Sequence, residues 1–317
     1  MGILASAELD RWAMDPEALL VLTFDVGRND PRLFDEVLDW VVVNGRLVSV
    51  QRLRNLAEHP DDRRVVEAVL SWAAKNRSTV RYTPPRGPKN VEPGEVELFG
   101  FGAESARLDE PMFLSFGIRR PRIELSRKSQ SPELTLPINF AFRMRQFMGV
   151  GARAEVVRCL LTIDAPFVTT SVLAEATAYT RRNVTDSLSG LAAARVIRVR
   201  EAGSERAYAV EREDWAALLG LERTGFPMFV EWPHLIRLLQ RILRWLRDVE
   251  RRDLSPYLLA SSAREELEAL DEEIKFLGLL VGQPSGHDPM VNWDAMERLT
   301  DAALERLEPS PPLVPPG

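Results

Sequence analysis

The sequence predicts a mainly α-helical fold, and three observations carry that expectation. Apolar residues recur at helical spacing near both ends of the chain, and proline or capping residues punctuate those runs. The period changes to alternation in a pair of short segments around residue 200, where a single hairpin is expected.

The elements follow in order. Pro16 opens ALLVLTFDV, Asp30-Pro31 starts RLFDEVLDWVVVNG, Gly45 ends that run, Ser49 caps VQRLRNLAEH, and Pro60 starts DDRRVVEAVLSWAAKN. In the second of these, Leu33, Val37, Leu38 and Val41 form the apolar stripe of a helix packed on neighbours. Residues 77–137 hold eight of the 22 prolines and no sustained period, so an irregular connector with some strand is expected there. Helices return in 232–307, with Ser262 and Glu265 reading as a capping box inside that stretch. The expected organisation is a helical N-terminal domain (1–76), the connector (77–137), a central module (138–221), a helical C-terminal region (222–308) and a disordered, proline-rich tail (309–317).

Composition narrows the function classes. At 45% hydrophobic and 28% charged, 317 residues suit a globular protein of two or three domains. No apolar run reaches the roughly 18 residues needed to cross a bilayer, and the start MGILASAELDRWAMD lacks the order of a secretory signal. A cytoplasmic location away from membranes is therefore expected. A single cysteine, Cys159, excludes an internal disulfide and a thiolate-cluster zinc site. With His59, His234 and His287 far apart, neither a metal nor a cofactor is expected. No phosphate loop, GxSxG, HExxH or glycine-rich nucleotide fingerprint occurs, so no motif argues for an enzyme.

The central module carries the most specific pattern. ARAEVVRCLLT (152–162) reads as a supporting helix. Thr169 or Thr170 then caps SVLAEATA, with Val172, Leu173 and Ala176 facing inward. After a short turn Thr180 can cap RRNVTDSLSGLAAA, in which Val184, Leu188 and Leu191 stand at i, i+4 and i+7. VIRVRE and ERAYAV, joined through Gly203, complete a hairpin. Three helices and a hairpin at this spacing predict a winged helix-turn-helix. Its third helix would offer Thr180, Arg181, Arg182, Asn183, Thr185 and Asp186 to a DNA groove, and its wing would offer Arg198, Arg200 and Arg206 to phosphates. Eight arginines against six acids make this segment mildly basic inside a chain of net charge −6.

The run LAEATAYTRRNVTDSLSGLAAARVIRV, followed by RAYAV and Trp215, resembles the MarR- and ArsR-like winged-helix regulators over about a fifth of the chain. FRMRQFMGVGARAEVVRCLL is also similar to regulators associated with antitoxins that stand beside nucleotidyltransferase toxins. The resemblance implies double-stranded DNA as partner, a homodimer to match a two-fold operator, and, in an antitoxin-like version, a toxin as protein partner. A protein-docking module built on the same fold is the alternative. One departure stands out. Such regulators usually have Gly after the recognition helix, and here Arg195 takes its place, so either the turn differs or Arg195 is left-handed.

Other patterns have blander readings. Arg237, Arg241, Arg244, Arg247 and Arg251 make one basic helix face: a solvated face, a phosphate- or membrane-facing surface, or a partner for Glu265, Glu266, Glu268, Glu272 and Glu273. IRRPRIELSRK (118–128) reads as a surface loop or as an arm for a minor groove. Asp35, Glu36 and Asp39 read as a solvated helix face and Cys159 as a buried small apolar residue.

Overall fold

The computed structural model describes residues 12–76, 82, 95–99, 108–202, 205–221, 225–279 and 290–307. The chain is mainly helical and falls into two compact units, Met1–Val230 and Glu231–Gly317. The proline-rich tail and Gly203 of the hairpin turn lie outside the described residues. No helix among the described residues is long and apolar enough to cross a membrane.

The first unit opens with four helices: α1 (Pro16–Val26), α2 (Pro31–Asn44), α3 (Val50–Leu56) and α4 (Pro60–Lys75). Their starts are chemically marked. Asp15, Asp30, Ser49 and His59 each accept a first-turn amide, and α1, α2 and α4 carry proline at N1. Phe34, Val37, Leu38 and Val41 of α2 are buried, whereas Leu33 is only half-buried.

The described parts of 77–137 are tied to these helices. Val96–Glu97 (β1) pairs in parallel with Ile118–Arg119 (β2), and a short helix α5 (Pro111–Leu114) packs on α4. Arg120 is buried, donates to Asp35 at 2.7 Å, and lies 5.3–5.6 Å from the ring centres of Phe34, Phe99 and Phe113. Asp39 is buried too, accepting from the backbone amides of Arg127 and Ser129 and from the Ser126 hydroxyl. One expectation is corrected here: Asp39 is a buried acceptor rather than part of a solvated face. Residues 121–129 form an irregular, largely exposed stretch, as the surface-loop reading expected, and contacts to Asp35 and Asp39 anchor it on α2. The cause is that Asp35 and Asp39, one turn apart, offer acceptors to a segment rich in donors.

The rest of the unit is α6 (Phe140–Met148), α7 (Ala152–Thr162), α8 (Thr170–Thr177), α9 (Arg181–Ala193) and α10 (Arg212–Leu219), with a three-stranded sheet of β3 (Val168–Thr169), β4 (Arg198–Ala202) and β5 (Glu205–Ala209). The order is β3-β5-β4, and the β4–β5 hairpin sets Arg200 opposite Ala207 and Glu201 opposite Arg206. The three helices and the hairpin expected at 152–210 are therefore present as elements, and β3 adds a strand that sequence reading missed. Their common core joins Val157, Cys159 and Leu161 of α7, Leu173 and Ala176 of α8, Val184, Leu188 and Leu191 of α9, and Ile197, Tyr208 and Trp215. Val172, expected to face inward, is exposed. Thr169 rather than Thr170 caps α8.

The second unit contains α11 (Trp232–Arg252), α12 (Pro256–Ala269), α13 (Asp271–Leu277) and α14 (Val291–Glu305). α11 packs on α13 and α14, and α12 on α14. Ser262 sits within α12 and accepts from Trp245 Nε1 at 2.9 Å, so it is a packing residue and not the cap expected from sequence. Arg241 on the basic face meets Glu266 at 3.2 Å and Glu273 at 3.7 Å, the internal charge pairing that was one of three readings.

Candidate nucleic-acid interface

The candidate interface rests on α9 and the hairpin after it. Thr180 stands at the N-cap of α9, where its hydroxyl accepts from the Asn183 amide at 3.3 Å and also meets the Asn183 side chain. Thr185 turns its hydroxyl back to Arg181 O at 2.8 Å. The buried stripe of Val184, Leu188 and Leu191 holds the other face, so Thr180, Arg181, Arg182, Asn183, Thr185 and Asp186 are all exposed. Part of this set is committed locally: Thr180 and Asn183 to the cap, Thr185 to its own helix.

On the hairpin, Arg198, Arg200 and Arg206 are exposed. Arg198 pairs with Glu211 at 2.7 Å, and its guanidinium lies 5.7 Å from the Phe167 ring centre. Arg200 stacks closer on the same ring, at 4.3 Å. Phe167, just before β3, thus orders two of the three hairpin arginines, a role that no local pattern announced.

The turn into the hairpin settles the question posed by Arg195. Its φ is +56°, and Val196 N donates to Leu191 O while Arg195 N donates to Ala192 O. That is a Schellman ending with arginine at the position glycine prefers.

Behind α9 lies the feature that sequence reading missed altogether: six buried ionisable side chains. Arg52 of α3 donates to Asp15 Oδ1 at 2.9 Å and to Glu17 Oε2 at 2.6 Å. Arg145 of α6 reaches Glu17, Glu155 and the Leu47 carbonyl. Arg158 donates to Glu155 Oε2 at 2.9 Å and approaches Asp15 at 3.8 Å. Burial pushes the Asp15 and Glu155 carboxyls up, but the surrounding guanidinium groups outweigh it and hold both below the ordinary carboxylate range. Burial likewise works against the charge on Arg52 and Arg145, and the carboxylates more than restore it. Glu155 and Arg158, at i and i+3 among the apolar residues of α7, were the one local hint.

The α3 side of this cluster also holds the turn before α9. Arg52 Nε donates to Thr177 O at 2.6 Å, Asn55 Nδ2 donates to Ala178 O at 2.7 Å, and Ser49 Oγ lies 2.7 Å from Tyr179 Oη. Ala178 closes α8 in the left-handed region, at φ 52°.

An apolar groove of about 430 Å³ runs past the far end of α9, lined by Phe147, Met148, Leu191, Val196, Trp215 and Leu218 among others. Phe147 is 57% and Leu218 61% exposed.

Comparison with protein families, with characterised proteins and with solved structures gives no match for this chain.

Proposed function

We propose that this chain is a DNA-binding transcriptional regulator, reading duplex DNA through a winged helix-turn-helix at residues 152–210. The observation that carries the reading is the exposed first turn of α9, with Arg181, Arg182 and Asn183 outward and Val184, Leu188 and Leu191 in the core. That is the division of labour a groove-reading helix needs. The hairpin arginines 198, 200 and 206, exposed on a short two-stranded ribbon, suit phosphate contact. A homodimer would place two such helices on a two-fold operator.

Binding to duplex DNA from the gene's own upstream region, measured against an unrelated duplex at two salt concentrations, tests it. The expected result is preference for the upstream duplex, with affinity falling steeply as salt rises. Equal binding to both, or none at low salt, overturns the reading.

The apolar groove supports a second reading, in which the module docks a protein such as a toxin. Replacing Phe147 and Leu218 with Ser would then abolish the protein complex, while Arg182→Ala would leave it intact.

A further inference from the structure

Helix α8 ends with carbonyl groups that have no partner within the helix, as every helix does. Water or a local cap usually satisfies them. Here side chains of α3, more than a hundred residues earlier in the chain, do so: Arg52 takes Thr177 O and Asn55 takes Ala178 O. Ser49 adds the contact to Tyr179 Oη, the next residue along. Positions 49, 52 and 55 are three apart, so they follow one side of α3, and they meet three consecutive residues of the turn. No glycine eases that turn, because Ala178 holds it with φ at 52°. A left-handed alanine persists only where its surroundings over-determine it. The three contacts from α3 do that, and Arg52 is in turn locked by Asp15 and Glu17.

We propose that α3 sets the attitude of α9: Ser49, Arg52 and Asn55 are positioning residues that act on DNA discrimination without touching DNA. The inference rests on the DNA-binding reading above. Misplacing a recognition helix by a fraction of an ångström damages base contacts, which are directional. Phosphate contacts, made by long flexible arginines, tolerate the shift. The N-terminal helices therefore contribute to specificity rather than to general affinity.

Two variants of the full chain test this, Asn55→Ala, which removes the donor to Ala178 O without adding charge, and Tyr179→Phe, which loses only the hydroxyl. Arg52 is left in place because its removal would strand Asp15 and Glu17. Hydrogen exchange at residues 178–184 should speed up by about fivefold, the equivalent of one hydrogen bond of ordinary net strength. Exchange within α4 and the second half of α7 should stay as in the parent. The ratio of affinities for upstream over unrelated duplex should fall by about the same factor, with the salt slope unchanged. Ser49→Thr, which retains a hydroxyl, should behave like the parent on every measure. Unchanged exchange at 178–184 in both variants overturns the proposal, as does an equal increase throughout the unit, which marks a merely structural role. A parent protein that prefers neither duplex refutes the DNA reading, and the exchange pattern then decides whether α3 positions the turn.

Discussion

Arg145 grips Glu17 with both terminal nitrogens, Nη1 to Oε1 at 2.7 Å and Nη2 to Oε2 at 2.6 Å, across 128 residues of sequence. The geometry is the parallel two-bond fork that makes arginine–carboxylate pairs directional as well as strong. Removing one member leaves the others buried and uncompensated, which is far more damaging than replacing a whole ion pair by apolar groups. Arg145→Met should lower the unfolding free energy by about 3–5 kcal/mol, as read from urea denaturation. A loss below 1 kcal/mol would mean that water reaches the cluster.

The acid limb of stability follows from the same groups. The Asp15 and Glu155 carboxyls are held below their reference values of 3.8 and 4.5 in the folded protein. A depressed folded pKa contributes stability that is complete above the unfolded value and is lost as pH falls beneath it. Asp39, held down by the Arg127 and Ser129 amides against the opposing effect of burial, adds in the same direction. The stabilisation from these groups should therefore be constant between pH 7 and about 5, giving no pH dependence there, and melting temperature should fall progressively below about pH 4.5. Arg145→Met should flatten that acid limb.

Arg195 offers a gain rather than a loss. Its backbone is left-handed, where a side chain is disfavoured and glycine is not. Arg195→Gly should raise stability by roughly 0.5–1 kcal/mol after the entropy of the added glycine is subtracted. Thermal melts of the two proteins side by side decide it.

Under the DNA-binding reading, the two groups of arginines should separate by phenotype. Arg182→Ala should weaken specific binding by about 1–3 kcal/mol and blur discrimination at one base pair, if that side chain meets a guanine edge. Arg206→Ala should weaken specific and non-specific binding alike and lower the salt slope by about one unit. Titrations against a panel of single-base operator variants measure both effects. Parent-like DNA binding by both proteins would exclude α9 and the hairpin as the contact surface.

Much of the fold was legible because its signals are local. Pro16, Pro31 and Pro60 mark three helix starts, and Val184, Leu188 and Leu191 declare the inner face of α9 by spacing alone. Arg195 was legible as an anomaly, and its φ resolves it. The failures share a different character. Asp39 looked solvated because its donors come from residues 126–129, beyond the reach of a helical pattern. Ser262 looked like a cap because the pattern before it hid the true start at Pro256. The charged cluster was invisible for the strongest reason: Asp15, Glu17, Arg52 and Arg145 each look like ordinary surface residues until α1, α3 and α6 bring them together.

The charged cluster also has an arithmetic that bears on how the chain is made. Residues before 76 supply Asp15, Glu17 and Arg52, one negative charge in excess; residues after 138 supply Arg145, Arg158 and Glu155, one positive charge in excess. Neither portion can close over its own share without sealing in an unbalanced ion. The first four helices alone would bury that surplus at a cost, through an unpaired charge or a protonated carboxylate, and α6 and α7 remove the cost by neutralising it. A fragment cut to contain only residues 138–221 would inherit the opposite surplus, so the boundary that looks natural for a minimal recombinant module is the wrong place to divide this protein.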